Sequence, residues 1–129
     1  MQISFVVPGK PVPMARPRVT MHGTYTPKSC RVYKHLVSVL AQNAMIEQDA
    51  TMVEDKPLEV RTRFIFPMPK SRKNPWATSR PDLDNLYKSV TDAMNGIVYK
   101  DDSQIVRGLL EKGYEIDGEG YAEITVETI

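Results

Sequence analysis

Pro57-Leu58-Glu59-Val60-Arg61-Thr62-Arg63-Phe64-Ile65-Phe66 places Leu58, Val60, Thr62 and Phe64 on one side and Glu59, Arg61, Arg63 and Ile65 on the other. A period of two is that of a β-strand with one face on a core. This run therefore predicts a half-buried strand in a one-sided sheet. Upstream, residues 29–49 contain no Pro or Gly and set Val32, Leu36, Val39, Leu40, Asn43 and Ala44 near helical spacing, which predicts a helix. Gln2 to Val7 reads as a first strand with Ile3, Phe5 and Val7 on one face. Between the two, Pro8, Pro11, Pro13 and Pro17 forbid regular structure, and the loop is expected to run on through Gly23 to Pro27. Downstream, residues 67–81 hold four prolines and form a second irregular stretch. Leu83 to Asn95 predicts a second helix stopped by Gly96, followed by a short extended piece over Ile97 to Tyr99. Residues 104–116 and 121–129 then predict a closing hairpin about Asp117-Gly118-Glu119-Gly120. The sum is an α+β fold in one domain, residues 1–129: a single mixed or antiparallel sheet of about four strands with two main helices packed on it.

Composition narrows the function classes. No run reaches the ~18 apolar residues of a membrane span. Met1 to Val7 has neither a basic leader nor a long apolar segment, so no signal peptide is expected. Cys30 is the only cysteine, which excludes an intrachain disulfide and points to a reducing cytoplasm. His22 and His35 stand alone, so no zinc site is expected. The net charge of +1 conceals an asymmetry: residues 1–80 carry 13 Lys/Arg against 5 Asp/Glu, and residues 81–129 carry 4 against 11. Basic surface around an acidic pocket suits a metal-dependent enzyme acting on a polyanion. Equally, the two halves could simply complement each other across the fold.

The acidic half opens with Asp82-Leu83-Asp84-Asn85, then Lys88, then Asp101-Asp102. Carboxylates repel at close range, so a fold that gathers them gathers a cation as well. If residues 81–84 are extended, Asp82 and Asp84 project from one face and Leu83 turns to the core. The helix then begins at about Asp84, with Asp84 or Asn85 as its N-cap. Lys88 rises one turn later beside the pair, with Asp92 one turn further as its partner, and Asp102 closes the third side. Two or three aspartates suit Mg²⁺, with Mn²⁺ as the alternative. Plainer readings stay open at this point: a helix cap for Asp82 to Asn85, a turn for Asp101-Asp102, a solvated ion pair for Lys88. An EF-hand fails, because counting from Asp82 its sixth position is Tyr87 instead of Gly and its twelfth is Ala93 instead of Glu.

The run Arg-Pro-Asp-Leu-Asp-Asn-Leu-Tyr-Lys (80–88), with Asp-Ala-Met-Asn-Gly-Ile-Val-Tyr-Lys-Asp-Asp-Ser-Gln-Ile (92–105), resembles the RusA family of Holliday junction resolvases. Arg16-Pro17-Arg18 within residues 9–19 adds a weaker likeness. The resemblance implies a small, homodimeric, Mg²⁺-dependent endodeoxyribonuclease acting on four-way DNA junctions. It implies Asp82, Asp84 and Asp102 as metal-binding catalytic aspartates and Lys88 as the active-site lysine. Asp101 ranks below Asp102, and Asp92 matches a frequent family position with a structural role.

On that reading, DNA is held by two irregular basic segments: Lys10, Arg16 and Arg18 in one, Lys70, Arg72, Lys73 and Arg80 in the other. Such residues contact phosphates and fix register without reading bases. Trp76 either stacks on an unpaired base or packs down on the domain. The apolar side chains of the first helix either exceed what the sheet can cover, and so form the dimer contact, or complete the core. No membrane partner and no small-molecule cofactor are expected.

Overall fold

The alternation over residues 57–66 does set the centre of the molecule. The computed structural model describes residues 1–15, 18–25, 27–71 and 74–129, with residues 18–20, 24 and 25 described in their backbone alone. In chain order the elements are β1 (Gln2–Pro8), β2 (Arg18–Thr20), β3 (Gly23–Tyr25), α1 (Lys28–Glu47), β4 (Leu58–Pro67), α2 (Leu83–Ala93), a 3₁₀ turn (Asp102–Gln104), β5 (Ile105–Glu115) and β6 (Tyr121–Thr128). The main sheet has the order β1-β6-β4-β5. β4 runs parallel to β5 and antiparallel to β6, and β1 runs antiparallel to β6, so the sheet is mixed. The fold class is the α+β expected.

On β4, Leu58, Val60 and Phe64 are fully buried and Thr62 nearly so. α1 and α2 cover this face, joined there by Ile3 and Val7 of β1 and Ala122, Ile124 and Val126 of β6. The opposite face is a lattice of ions. Arg61 bonds Glu59 at 2.6 Å and Glu127 at 3.0 Å, Arg63 bonds Glu111 at 3.3 Å and Glu123 at 3.4 Å, and Arg107 bonds Glu59. Hydrogen bonds from Arg107 and then Arg61 hold the Glu59 carboxyl below its ordinary range. Because the core hangs on β4, Phe64→Ala is expected to cost about 3–5 kcal/mol. Urea denaturation measures it; a loss under ~1 kcal/mol would mean the helices do not bear on this strand.

Four expectations change. First, β5 and β6 form no hairpin: β4 lies between them. Five residues, 116–120, bridge the two strands over the end of β4, where Gly120 (φ +91°) leaves no room for a side chain: a Cβ would stand 2.6 Å from the Ile65 carbonyl oxygen. The physical gain is in the ion lattice, since Arg61 and Arg63 on β4 reach carboxylates on both flanking strands. Second, residues 18–25 are not all loop, because β2 and β3 pair as a separate two-stranded ribbon. Third, the buried face of α1 is Cys30, Tyr33, Val37, Ala41, Ala44 and Met45. Val32 and Val39 are turned outward, while Leu36 and Leu40 pack partly against the core. Fourth, α2 begins at Leu83, but its N-cap is Asp82 instead of Asp84 or Asn85, and it ends at Ala93, two residues before Asn95. Among the described residues no helix is long and apolar enough to cross a membrane.

Candidate active site

The N-terminus of α2 and the 3₁₀ turn before β5 carry the aspartates. Asp82 is extended (φ −71°, ψ 142°) and Leu83 is already helical, so the strand-like alternation proposed for Asp82 and Asp84 does not apply. Asp82 makes no side-chain capping bond, and both carboxylates are exposed. They sit at the N-terminal end of the helix, where its unpaired backbone N–H groups point. Leu83 packs partly against the core, as expected.

Lys88 and Asp92 form the expected i,i+4 ion pair, with Nζ 3.4 Å from Oδ2. Asp92 also meets Asp102. Burial, and next a hydrogen bond with the Asp92 carboxyl, push the Asp102 carboxyl above its ordinary range, against a bond from the Asn95 side chain. Asn95 Oδ1 is buried and has no hydrogen-bond partner among the described residues. Asp101 behaves differently from its neighbour. Its carboxylate accepts from Ser103 N at 3.3 Å, and Gln104 Oε1 accepts from Asp101 N at 3.0 Å, a complete capping box. Those bonds to Ser103 hold the Asp101 carboxyl below its ordinary range. Gln104 Nε2 in turn donates to the carbonyls of Val53 and Lys56, both at 3.2 Å.

A stripe thus runs along α2: Asp82 and Asp84 at one end, Lys88 between, Asp92 with Asp102 and Asn95 at the other. From position 84 to 92 the helix rises about 12 Å at 1.5 Å per residue. Among the described residues, no three His, Cys, Asp or Glu side chains stand close enough together to hold a metal ion. Even so, the donor chemistry suits a hard divalent cation: paired carboxyls beside an unbonded buried amide oxygen.

The Pro-rich segment is pinned against this helix and against the start of α1. Met14 N donates to Asn85 O at 2.9 Å, Ser89 Oγ donates to Val12 O at 3.0 Å, and Cys30 Sγ donates to Pro13 O at 3.2 Å. Between the segment and α2 lies an open cleft of about 740 Å³, lined by Lys10, Met14, Arg80, Pro81, Asp82 and Asn85 among others. Lys10 and Arg80 are therefore brought to one place beside Asp82. Lys70 is exposed in the turn after β4. Arg16, Arg72 and Lys73 lie outside the described residues, as does the side chain of Arg18. Trp76 does not pack down on the domain: it is 74% exposed.

Sequence reasoning missed Lys112 and Asn95. The signal for Lys112 was a charge at a helix-facing position of β5, between Leu110 and Tyr114. Asn95 carries no comparable signal.

The family model described as Endodeoxyribonuclease RusA matches residues 8–127. An uncharacterized protein of Bacillus subtilis (strain 168), YqaN, is 32% identical over 128 residues, covering 87% of each chain. A protein of Lactococcus phage r1t, crossover junction endodeoxyribonuclease rusA, is 48% identical over 52 residues, covering 39% of this chain and 40% of its own.

Proposed function

This chain belongs to the RusA endodeoxyribonuclease family, and on that premise we propose that it resolves Holliday junctions by paired, symmetric nicks, using Mg²⁺ bound by Asp82 and Asp84 at one end of the α2 stripe and by Asp102 at the other. The observation that supports this best is how the carboxylates are spent. Asp101 is consumed by its turn, whereas Asp82 is the N-cap residue yet makes no capping bond. Asp102, the second of the adjacent pair, is turned instead toward Asp92 and Asn95.

These residues would hold a divalent cation, which when bound would supply charge neutralisation at the phosphate and a more acidic water. The protein's own share is placement. Lys88 stands between the two carboxylate groups and presents its ammonium to charge developing on the phosphate oxygens. Asp92 holds that ammonium at 3.4 Å until substrate arrives. Lys10, Arg16, Arg18, Lys70, Arg72, Lys73 and Arg80 bind the backbone, and the cleft beside Asp82 receives the strand. Trp76, exposed in its loop, is placed to stack on an unpaired base.

Two nicks in strands of like polarity need two active sites related by a two-fold axis, hence a homodimer. Val32, Val39 and Ile46, exposed on α1 at seven-residue spacing, support that helix as the contact. The cytoplasmic setting read from the lone cysteine belongs to the same proposal.

A synthetic mobile four-way junction, beside a matched duplex and a flap, tests this in Mg²⁺ and in Ca²⁺. The expected result is paired nicks in the junction with Mg²⁺ and binding without cutting in Ca²⁺. Preferential cutting of the flap would change the substrate. Junction binding with no nicking in Mg²⁺ would reduce the chain to a binding module.

A further inference from the structure

A second, smaller cleft shares Lys10 and Arg80 with the first but is not lined by Asp82. Its volume is about 160 Å³, and Lys10, Ser79, Arg80, Lys112, Phe66 and Tyr114 are among its lining residues. Three of the lining residues are cations, and among the described residues none is Asp or Glu. Like charges around so small a space repel unless an anion joins them. None of the three makes an ion pair among the described residues, although Arg61, Arg63, Lys88 and Arg107 all do.

Lys112 is the most telling of the three. It stands in register with Phe64 on the helix side of the sheet, where an apolar residue is expected. Its Nζ donates to the carbonyls of Ser79 and Pro81, both at 2.9 Å. An ammonium has three N–H groups, so one is left over. The two carbonyls immobilise the group without cancelling its charge. The space equals roughly five water molecules at about 30 Å³ each, enough for a phosphate and part of its shell. Phe66 and Tyr114 give it apolar walls.

We propose that this cleft is an anion seat for one backbone phosphate of the bound DNA strand, with Lys112 as its fixed cation and Lys10 and Arg80 closing over it. The seat rests on the nuclease reading for its ligand. It adds a register function: a phosphate held there fixes which phosphate reaches Asp82, because the segment Lys112 grips leads directly into that residue.

Junction binding in Ca²⁺ is measured against salt for the wild type, Lys112→Met and Lys112→Arg, with thermal melts of each. Each phosphate contact contributes about 0.9 to the slope of log K on log salt. Lys112→Met is expected to lower that slope by about one per chain and to weaken binding about tenfold at low salt. Lys112→Arg should retain the slope. Inorganic phosphate titrated against the wild type without DNA should shift the Lys112 side-chain NMR signals saturably and leave Lys56 unmoved. A Lys112→Met chain that melts lower and cuts poorly yet keeps the full slope would make Lys112 a brace for residues 79–81, and the seat would be wrong. If Lys112→Met does not fold, the phosphate titration alone decides, and an unmoved Lys112 signal rejects the seat. A wild type that cuts no junction while Lys112→Met still loses slope would leave the seat standing and remove the nuclease reading.

Discussion

Asn in place of Asp82, Asp84 or Asp102 gives a chain that still binds four-way junctions in Ca²⁺ and no longer nicks them in Mg²⁺. The substitution keeps size and hydrogen-bonding capacity and removes only the charge a cation needs. Asp82 and Asp84 are exposed and Asp82 makes no capping bond, so the fold has little to lose there. The loss should amount to several kcal/mol of transition-state stabilisation, a factor of about 10³ or more in rate. Binding should hold or tighten, since a negative charge beside the DNA is gone. Asp101→Asn is the internal control, because its carboxylate is engaged in a turn and cutting should persist. Single-turnover cleavage with gel-shift affinities measures both. If all three variants still cut at wild-type rate, the metal reading fails.

Lys88→Ala separates chemistry from grip. Lys88 is 61% exposed and its pair with Asp92 spans 3.4 Å, so it is worth under ~1 kcal/mol to stability. If its ammonium meets charge that develops only in the transition state, the rate should fall about 10²-fold, with junction affinity changing less than about threefold. Equal loss of rate and affinity would instead make Lys88 a phosphate contact of the ground state.

The strands and helices were legible wherever one face meets the core. Residues 58–66 announce their strand by alternation. Ile3 and Val7 do the same for theirs, and Gly96 closely follows the end of α2. Partner choice was not legible in the same way. A tight turn at 117–120 argues locally for a hairpin, and only the cross-strand needs of Arg61 and Arg63 put β4 between its two arms. The ribbon over residues 18–25 was hidden behind the prolines that precede it. At the site, residue types were plain but their spending was not. That Asp101 caps while Asp102 does not could be read from Asp101-Asp102-Ser103-Gln104, a capping-box pattern. The N-cap at Asp82 was misplaced because an extended stretch and a helix start look alike over so few residues.

The sheet's open face has a last consequence. Four carboxylates and three guanidiniums pair across it and leave one negative charge in excess. A nucleic acid laid there would find no uncommitted cation in that network and release few counterions. Paired charge with a small negative excess makes that network a poor seat for a long polyanion, which is expected to approach from the helix side instead. A four-armed substrate then has a single right way up, settled before any atom of the reaction is engaged.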